Sequence, residues 1–201
     1  PILSLNDAFT EKDIEDWQER ISKLLTVDET SQLDYFCELK IDGLAIELIY
    51  EKEILEIGST WGDGIVGENV TQNLKTIEAI PLRLRAPRHF LSTSSDQKFF
   101  FFLPKSGEEL VVRGEVFISK KEFGRLNREQ EKRGLPFYAN TRNVAAGSIR
   151  QLDPKITAAR KLDSYAYDLI TASGQETHEG KHTLLKTLGF KINPHNKYCK
   201  N

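Results

Sequence analysis

The chain has 201 residues, of which 39% are hydrophobic and 29% charged, a balance typical of a globular domain rather than a disordered segment. Its apolar runs, such as Phe99–Leu103, are too short to span a bilayer and no signal peptide is recognisable, so we expect a cytoplasmic protein with no membrane partner. The net charge of −2 hides an acidic region, with 18 acidic and 6 basic residues over 1–80, and a basic one, with 11 basic and 4 acidic residues over 119–161.

The first predicted element is a helix that Thr10 can cap, with an apolar face formed by Ile14, Trp17, Ile21, Leu24 and Leu25. The pattern then changes to a period of two, which predicts strands at Tyr35–Ile41, Leu44–Tyr50 and Ile54–Ser59. A turn at Glu51–Glu53 joins the last two. A helical pattern follows at Asn69–Ile77, and the serine-rich stretch Leu91–Asp96 is predicted to be a loop.

The second half of the chain mixes strands and helices. Strands are predicted at Lys98–Leu103, Leu110–Ile118 and Ser164–Ile170, and helices at Ser119–Arg133, Asn143–Gln151, from Asp153-Pro154 onward, and at Glu179–Leu188. The polar stretch Asn193–Asn201 is expected to be an irregular connection. Because the strands come as hairpins, the predicted fold class is α+β, with antiparallel sheets flanked by helices. The Gly62–Gly67 segment fits GxGxxG, but hairpins argue against a dinucleotide-binding βαβ unit.

The strongest chemical signal is the segment Cys37–Gly43. On an extended strand Glu38, Lys40 and Asp42 would share one face, since side chains alternate. One interpretation is a surface ladder of alternating charges. The other is a nucleophilic amine beside carboxylates that handle a nucleotide, a metal or protons. The spacing alone favours the charge ladder.

Two arginines in the basic region suggest phosphate binding. Arg142 and Arg150 are eight residues apart and so roughly share a helix face, with small side chains between them that permit close approach of a ligand. For Lys120–Arg133 a solvated helix face is the simpler explanation. Arg113 and Glu115 would lie on one face of a strand and could form an ordinary ion pair.

The Lys40–Gly43 segment resembles the first motif of the covalent nucleotidyltransferases, the DNA and RNA ligases and mRNA capping enzymes. The segments that resemble the NAD-dependent DNA ligases are, in order, Pro1–Leu5 with Ala8-Phe9, Gly62–Gly64 with Gly67-Glu68, Val112–Phe117, Ala139–Asn143 with Ala145–Asp153, and Tyr167. Chance agreement of one motif is ordinary, but agreement of all of them in order is not. The chain is therefore identified as resembling the adenylation (nucleotidyltransferase) domain of a bacterial-type NAD-dependent DNA ligase, with the fold of that group.

The resemblance implies roles for individual residues. Lys40 would attack the α-phosphate of NAD and carry AMP, which is then used to seal nicks in double-stranded DNA with Mg²⁺ as the metal. The nucleotide contacts that it implies are the backbone of Ser4 and Leu5, Glu38 at the adenine amine, Tyr167 stacked on adenine, and Arg113, Glu115 and Arg142. Asp42 and Glu115 would assist catalysis, with Glu115 serving the ribose or the metal. Arg142 and Arg150 would bind nucleotide or DNA phosphates.

Some features depart from the family. Trp61 occupies a position where the family has arginine, so either stacking replaces that charge or nucleotide binding is weak. Residues 1–201 lack the segment that recognises nicotinamide mononucleotide and the later motifs of the domain, so we expect a partial adenylation domain that cannot adenylate itself with NAD. We expect a monomer. The alternatives are an ATP-dependent polynucleotide ligase, or a non-catalytic nucleotide- or DNA-binding module of the same fold.

Overall fold

A computed structural model describes residues 7–25, 33–62, 64–85, 89–94, 97–102, 109–171, 174–175 and 177–200, with the backbone alone given over 89–102. The helices are α1 (Glu11–Ser22), α2 (Thr71–Leu74), α3 (Lys120–Lys132), α4 (Thr141–Ile149), α5 (Pro154–Ala159) and α6 (His178–Leu188). The strands are β1 (Tyr35–Cys37), β2 (Leu44–Glu51), β3 (Ile54–Thr60), β4 (His89–Ser94), β5 (Gln97–Phe102), β6 (Glu109–Phe117), β7 (Asp163–Leu169) and β8 (Lys197–Cys199).

The central feature is a four-stranded sheet in the order β3-β2-β6-β7. Two smaller sheets pair β1 with β8 and β4 with β5. Every pairing between the described strands is antiparallel. The α+β prediction is confirmed, and the described strands contain none of the parallel pairing that a dinucleotide-binding βαβ unit requires.

The two faces of the central sheet have different roles. On β2 and β6, alternate residues such as Ile46, Leu48 and Val112 are at most 2% exposed. They pack with the apolar sides of α4 and α6 in a single core. Each fully buried aliphatic side chain contributes about 1.5–3 kcal/mol to folding. The residues between them, including Glu47, Arg113 and Glu115, point to the opposite face and stay partly exposed.

Capping side chains fix the residues at which several helices begin. Thr10 forms a capping box with Asp13, Ser119 accepts a hydrogen bond from the backbone N–H of Glu122, and Asp153 caps the helix that begins at Pro154. The apolar face predicted for α1 is not buried in the described part of the chain, where none of that helix's residues is buried. No helix among the described residues is long and apolar enough to cross a membrane.

Three predictions about local structure are wrong. The strand predicted at Tyr35–Ile41 ends at Cys37, because its partner is β8, more than 150 residues later, and only three residues pair. The tail Asn193–Asn201, predicted to be irregular, supplies that partner at Lys197–Cys199. The serine-rich stretch predicted as a loop is strand up to Ser94, paired with the phenylalanine-rich β5. Pairing with a distant or apolar strand outweighs weak local propensity in these places.

The helical pattern predicted over Asn69–Ile77 shortens to α2, which contributes the core residue Leu74 and the buried amide of Asn73. Asn73 Nδ2 donates to the carbonyl of Ile149 and, at 2.7 Å, to the carbonyl of Gln151. These acceptors flank the end of α4, so Asn73 fixes the point at which Arg150 leaves that helix.

We expect Asn73→Ala to destabilise the fold by about 1–3 kcal/mol, because it leaves buried carbonyl oxygens without a donor. Urea denaturation would measure the change. Gln72→Ala is the matched control, since Gln72 is an exposed amide on the same helix and should alter stability by no more than about 0.5 kcal/mol. Equal, small effects of the two substitutions would show that the amide does not anchor α4.

Candidate functional site

Gly43 joins the Lys40 segment to the central sheet. Its backbone N–H donates to Glu115 Oε1 at 3.0 Å. A Cβ atom on Gly43 would lie 2.1 Å from the carbonyl oxygen of Val116, which is closer than any side chain tolerates. Only glycine therefore lets the chain pass so close to β6 at this position. Close packing against Val116 thus explains why glycine ends the Lys-Ile-Asp-Gly motif, which the spacing of residues could not show.

Glu115 lies at the centre of a group of charges. Burial raises the pKa of its carboxyl, and the Gly43 N–H and the positive charges of Lys40 and Arg142 offset that only in part, while Asp42 adds to it. The net pKa is raised. Asp42 Oδ1 lies 3.7 Å from Arg142 Nη1. The structure thus brings together Lys40, Asp42, Glu115 and Arg142, which the sequence predicted separately.

Lys40 itself is exposed, on a segment that is not a strand. Within the described ranges no carboxylate forms an ion pair with its amine. The predicted alternation of Glu38, Lys40 and Asp42 on one strand face is wrong, because β1 ends at Cys37. The ladder of alternating charges, which requires a strand at these residues, is therefore not formed, and the nucleophilic role of Lys40 stays a prediction.

Arg113 pairs with Glu47 and not, as the sequence suggested, with Glu115. Its Nε donates to Glu47 Oε2 at 3.0 Å, across the β2–β6 pairing. The guanidinium also lies 5.7 Å from the ring centroid of Trp61. The family's arginine at that position would bring a second positive charge towards Arg113, whereas tryptophan offers a cation–π contact.

Tyr167 lies at an irregularity in the pairing of β6 with β7. It is half-buried rather than a core residue. Burial raises the pKa of its hydroxyl, and the negative charge of Glu115 raises it further while the positive charge of Arg113 lowers it. Tyr167 is therefore a partly exposed aromatic side chain whose hydroxyl is within electrostatic range of Glu115 and Arg113.

Helix α4 links two of the predicted motifs. Its buried side, including Ala145 and Ser148, faces the core, while Arg142 and Arg150 are exposed. Arg142 faces Asp42, and Arg150 Nε pairs with Glu68 Oε2. A Cβ added to Gly147 would meet nothing within 4 Å, so the exposed side of the helix has open space beside it.

The glycine-rich turn near Glu68 depends on its glycines. Gly62 has a φ of +56°, and a Cβ there would lie 1.7 Å from the carbonyl oxygen of Val66. At Gly67 a Cβ would lie 1.8 Å from the carbonyl oxygen of Thr60. Gly62 therefore allows a close approach to Val66, and Gly67 allows a close approach to the end of β3. Asp63, between the first two glycines, lies outside the described residues.

Glu38 faces two histidines that sequence reasoning missed. His178 Nε2 lies 2.6 Å from Glu38 Oε2, and His182 Nε2 lies 2.9 Å from Glu38 Oε1. Burial alone would raise the pKa of Glu38, but hydrogen bonds and charge from both histidines outweigh it and lower the pKa to about 2. The i, i+4 spacing of the histidines was the signal that could have revealed them, although the predicted helix Glu179–Leu188 begins one residue after His178.

Ser4 and Leu5, predicted to contact a nucleotide, lie outside the described residues. Arg150 lies outside the cluster of Lys40, Asp42, Glu115 and Arg142, and helix α4 is its connection to that cluster. Of the predicted site residues, the structure thus brings together Lys40, Asp42, Glu115 and Arg142.

The comparisons with known proteins give the family. The model of the NAD-dependent DNA ligase adenylation domain matches residues 1–201, and this chain belongs to that family. It is 47% identical, over its whole length, to a DNA ligase of Thermoanaerobacter sp. strain X514. It is 45% identical over 99% of the chain to one of Halalkalibacterium halodurans, and 42% identical over its whole length to one of Thermotoga petrophila. The chain spans about a quarter of these relatives, 26–27% of their length.

We expect Glu115→Gln to stabilise the fold at neutral pH. A raised pKa in the folded state means that Glu115 contributes stability below its unfolded pKa and loses it as pH rises through the folded pKa. Glutamine keeps an oxygen that can accept from Gly43 but carries no charge. The gain in melting temperature should be present at pH 8 and vanish near pH 4.

The matched control is Glu109→Gln, an exposed carboxylate on the same strand, which should change the melting temperature little at either pH. A Glu115→Gln protein that is less stable than the parent at pH 8 would contradict the burial of charge as the dominant effect.

Proposed function

We propose that this chain forms the adenylation site of an NAD-dependent DNA ligase and has the covalent nucleotidyltransferase fold. The observation that carries the proposal is the grouping of Lys40, Asp42, Glu115 and Arg142 around the contact of Gly43 with Val116. Family membership supports it.

Lys40 is the proposed nucleophile. Its unprotonated Nζ attacks the α-phosphorus of NAD, a P–N bond forms, and the P–O bond to nicotinamide mononucleotide breaks with its electron pair leaving on that oxygen. A carboxylate must take the proton of the attacking amine, and Glu115, whose pKa is raised, is suited to accept it. Asp42 is the other carboxylate in reach of this role.

Adenine recognition is assigned to Glu38 and Tyr167. A pKa of about 2 keeps Glu38 ionised, so at neutral pH it can only accept, as the amine of adenine requires. Tyr167 offers a half-buried ring for stacking, a contact of about 1–3 kcal/mol where bases stack on aromatic side chains. Ser4 and Leu5 are proposed to contact the same nucleotide through their backbone.

Asp42 and Glu115 also fit Mg²⁺, which takes one or two carboxylates and completes its shell with water and substrate phosphates. Bound there, the metal would offset negative charge on the transferring phosphate. Arg113 is held by Glu47 and Trp61, so its proposed part is to line the nucleotide face rather than to pair with Glu115.

DNA contact is assigned to the exposed arginines of α4. Their side chains are 63% and 45% exposed and engage a single carboxylate each. A guanidinium in an exposed ion pair can exchange its carboxylate for a phosphate at little cost, because such pairs contribute about 1 kcal/mol or less. We infer nicked double-stranded DNA as the partner.

We expect Lys40→Arg, in a full-length protein containing this chain, to abolish the covalent AMP adduct while leaving the fold unchanged. Arginine keeps the charge but stays protonated at neutral pH and cannot act as a nucleophile. Intact-protein mass spectrometry after incubation with NAD and Mg²⁺ measures the adduct.

Lys75→Arg, at an exposed lysine after α2, is the matched control and should retain the full adduct. Parallel incubation with ATP separates the ligase classes, since an adduct from ATP alone would indicate an ATP-dependent enzyme. A parent protein that forms no adduct with either nucleotide would support a non-catalytic binding module, and an adduct on Lys40→Arg would overturn the assignment of the nucleophile.

We expect Arg142→Ala and Arg150→Ala each to lower ligation at least about tenfold, or about 1.4 kcal/mol, through loss of a phosphate contact. The melting temperature should change little, because the lost ion pairs are exposed. Arg128→Ala, an exposed arginine on α3, is the control for lost surface charge. Marked thermal destabilisation with unchanged ligation would assign the two arginines to folding instead.

A further inference from the structure

Three metal-ligating side chains converge at one end of the small β1–β8 sheet. Glu38 follows β1, while His178 and His182 lie one turn apart at the start of α6. Their nearest ligand atoms all lie within 4.8 Å of one another, and the two Nε2 atoms are 3.2 Å apart. This is the one group of at least three His, Cys, Asp or Glu residues with such convergence in the part of the chain that the structure describes.

Protons cannot satisfy all of these contacts at once. A neutral imidazole nitrogen either donates or accepts, and an ionised carboxylate only accepts. If both Nε2 atoms carry hydrogen and donate to Glu38, they face each other as two donors at 3.2 Å. If one accepts from the other, it cannot donate to Glu38. A single cation among the three groups would use a lone pair from each.

The surroundings hold the two rings in place. Phe36 packs against both imidazoles, with ring centroids 5.3 Å from His178 and 4.9 Å from His182. Asn196 Nδ2 lies 3.2 Å from both Glu38 Oε1 and His182 Nδ1. Its buried Oδ1 has no hydrogen-bond partner among the described residues. Rotation of this amide would give His182 Nδ1–H the acceptor that a metal-bound imidazole uses on its second nitrogen.

The donor set identifies the class of metal. Two imidazoles and a carboxylate form a site typical of Zn²⁺, in which a tetrahedral ion keeps its fourth position for water or another ligand. Zinc–ligand distances of about 2.0–2.2 Å put neighbouring ligand atoms about 3.3 Å apart, close to the observed Nε2–Nε2 distance. His182 is 4% exposed and His178 is 36% exposed, so an ion would enter from the side of His178.

We propose that Glu38, His178 and His182 bind one Zn²⁺ ion, at a site that uses none of the side chains of Lys40, Asp42, Glu115 and Arg142. One consequence rests on the proposed function: Zn²⁺ would occupy the carboxylate assigned to the adenine amine, so metal and nucleotide would exclude each other. The site itself does not depend on that assignment.

Titration with Co²⁺, followed by visible absorption, tests the proposal directly. We expect tetrahedral d–d bands that saturate at one equivalent and are displaced by one equivalent of Zn²⁺. The titration is done on a Cys37→Ser, Cys199→Ser background, because the two thiols lie 3.9 Å apart and could bind Co²⁺ themselves. Far-UV circular dichroism confirms that each variant is folded.

His178→Ala and His182→Ala should each weaken Co²⁺ binding at least about tenfold, and His195→Ala, at an exposed histidine outside the group, should not. His178 is the more exposed ligand, so its variant keeps the test open if His182→Ala fails to fold. Absence of the bands in the parent, or unchanged bands in His178→Ala, would overturn the site and leave the histidines as hydrogen-bond partners of Glu38.

The metal site and the nucleophilic role of Lys40 can be tested independently of each other. Lys40→Arg should lose the AMP adduct and keep the Co²⁺ spectrum. Added Zn²⁺ should suppress adduct formation in the parent more than in His178→Ala. Equal suppression in the parent and in His178→Ala would reject competition between metal and nucleotide. The Co²⁺ spectrum would still decide whether the metal site exists.

Discussion

The close contact between Gly43 and the carbonyl of Val116 is the constraint on which the rest of the site depends. It fixes the chain just after Lys40 onto β6, and the Gly43 N–H adds a hydrogen bond to Glu115. No residue with a Cβ could run so close. Because β6 also pairs with β2 and β7, this single contact ties the exposed lysine to an interior strand of the central sheet.

The two faces of the central sheet separate stability from chemistry. One face is apolar, covered by α4 and α6, and supplies the free energy of folding. The other keeps Glu115, Arg113 and Tyr167 partly buried, although burial raises the pKa of Glu115 and makes its ionised form unfavourable. A fold that retains such a carboxylate gives up some stability, a common feature of functional sites.

Helix α4 contributes both to the core and to the exposed surface of the site. Ala145 and Ile149 are fully buried in the core, while Arg142 and Arg150 remain exposed at its two ends. The predicted small residues proved to have two roles, since Ser148 packs inward and Gly147 leaves open space outside. Asn73 then fixes the end of the helix from the core side.

Local sequence determined the features whose causes are local: the caps at Thr10, Ser119 and Asp153, the hairpin from β2 to β3, and the α+β class. It also determined the Lys40 motif and its family, because that signal lies in contiguous residues. Only tertiary structure decided the strand at Lys197–Cys199, the pairing of Arg113 with Glu47, and the meeting of Glu38 with His178, 140 residues apart in sequence. Such contacts depend on how sheets and helices pack, and neither a period of two nor one of 3.6 carries that information.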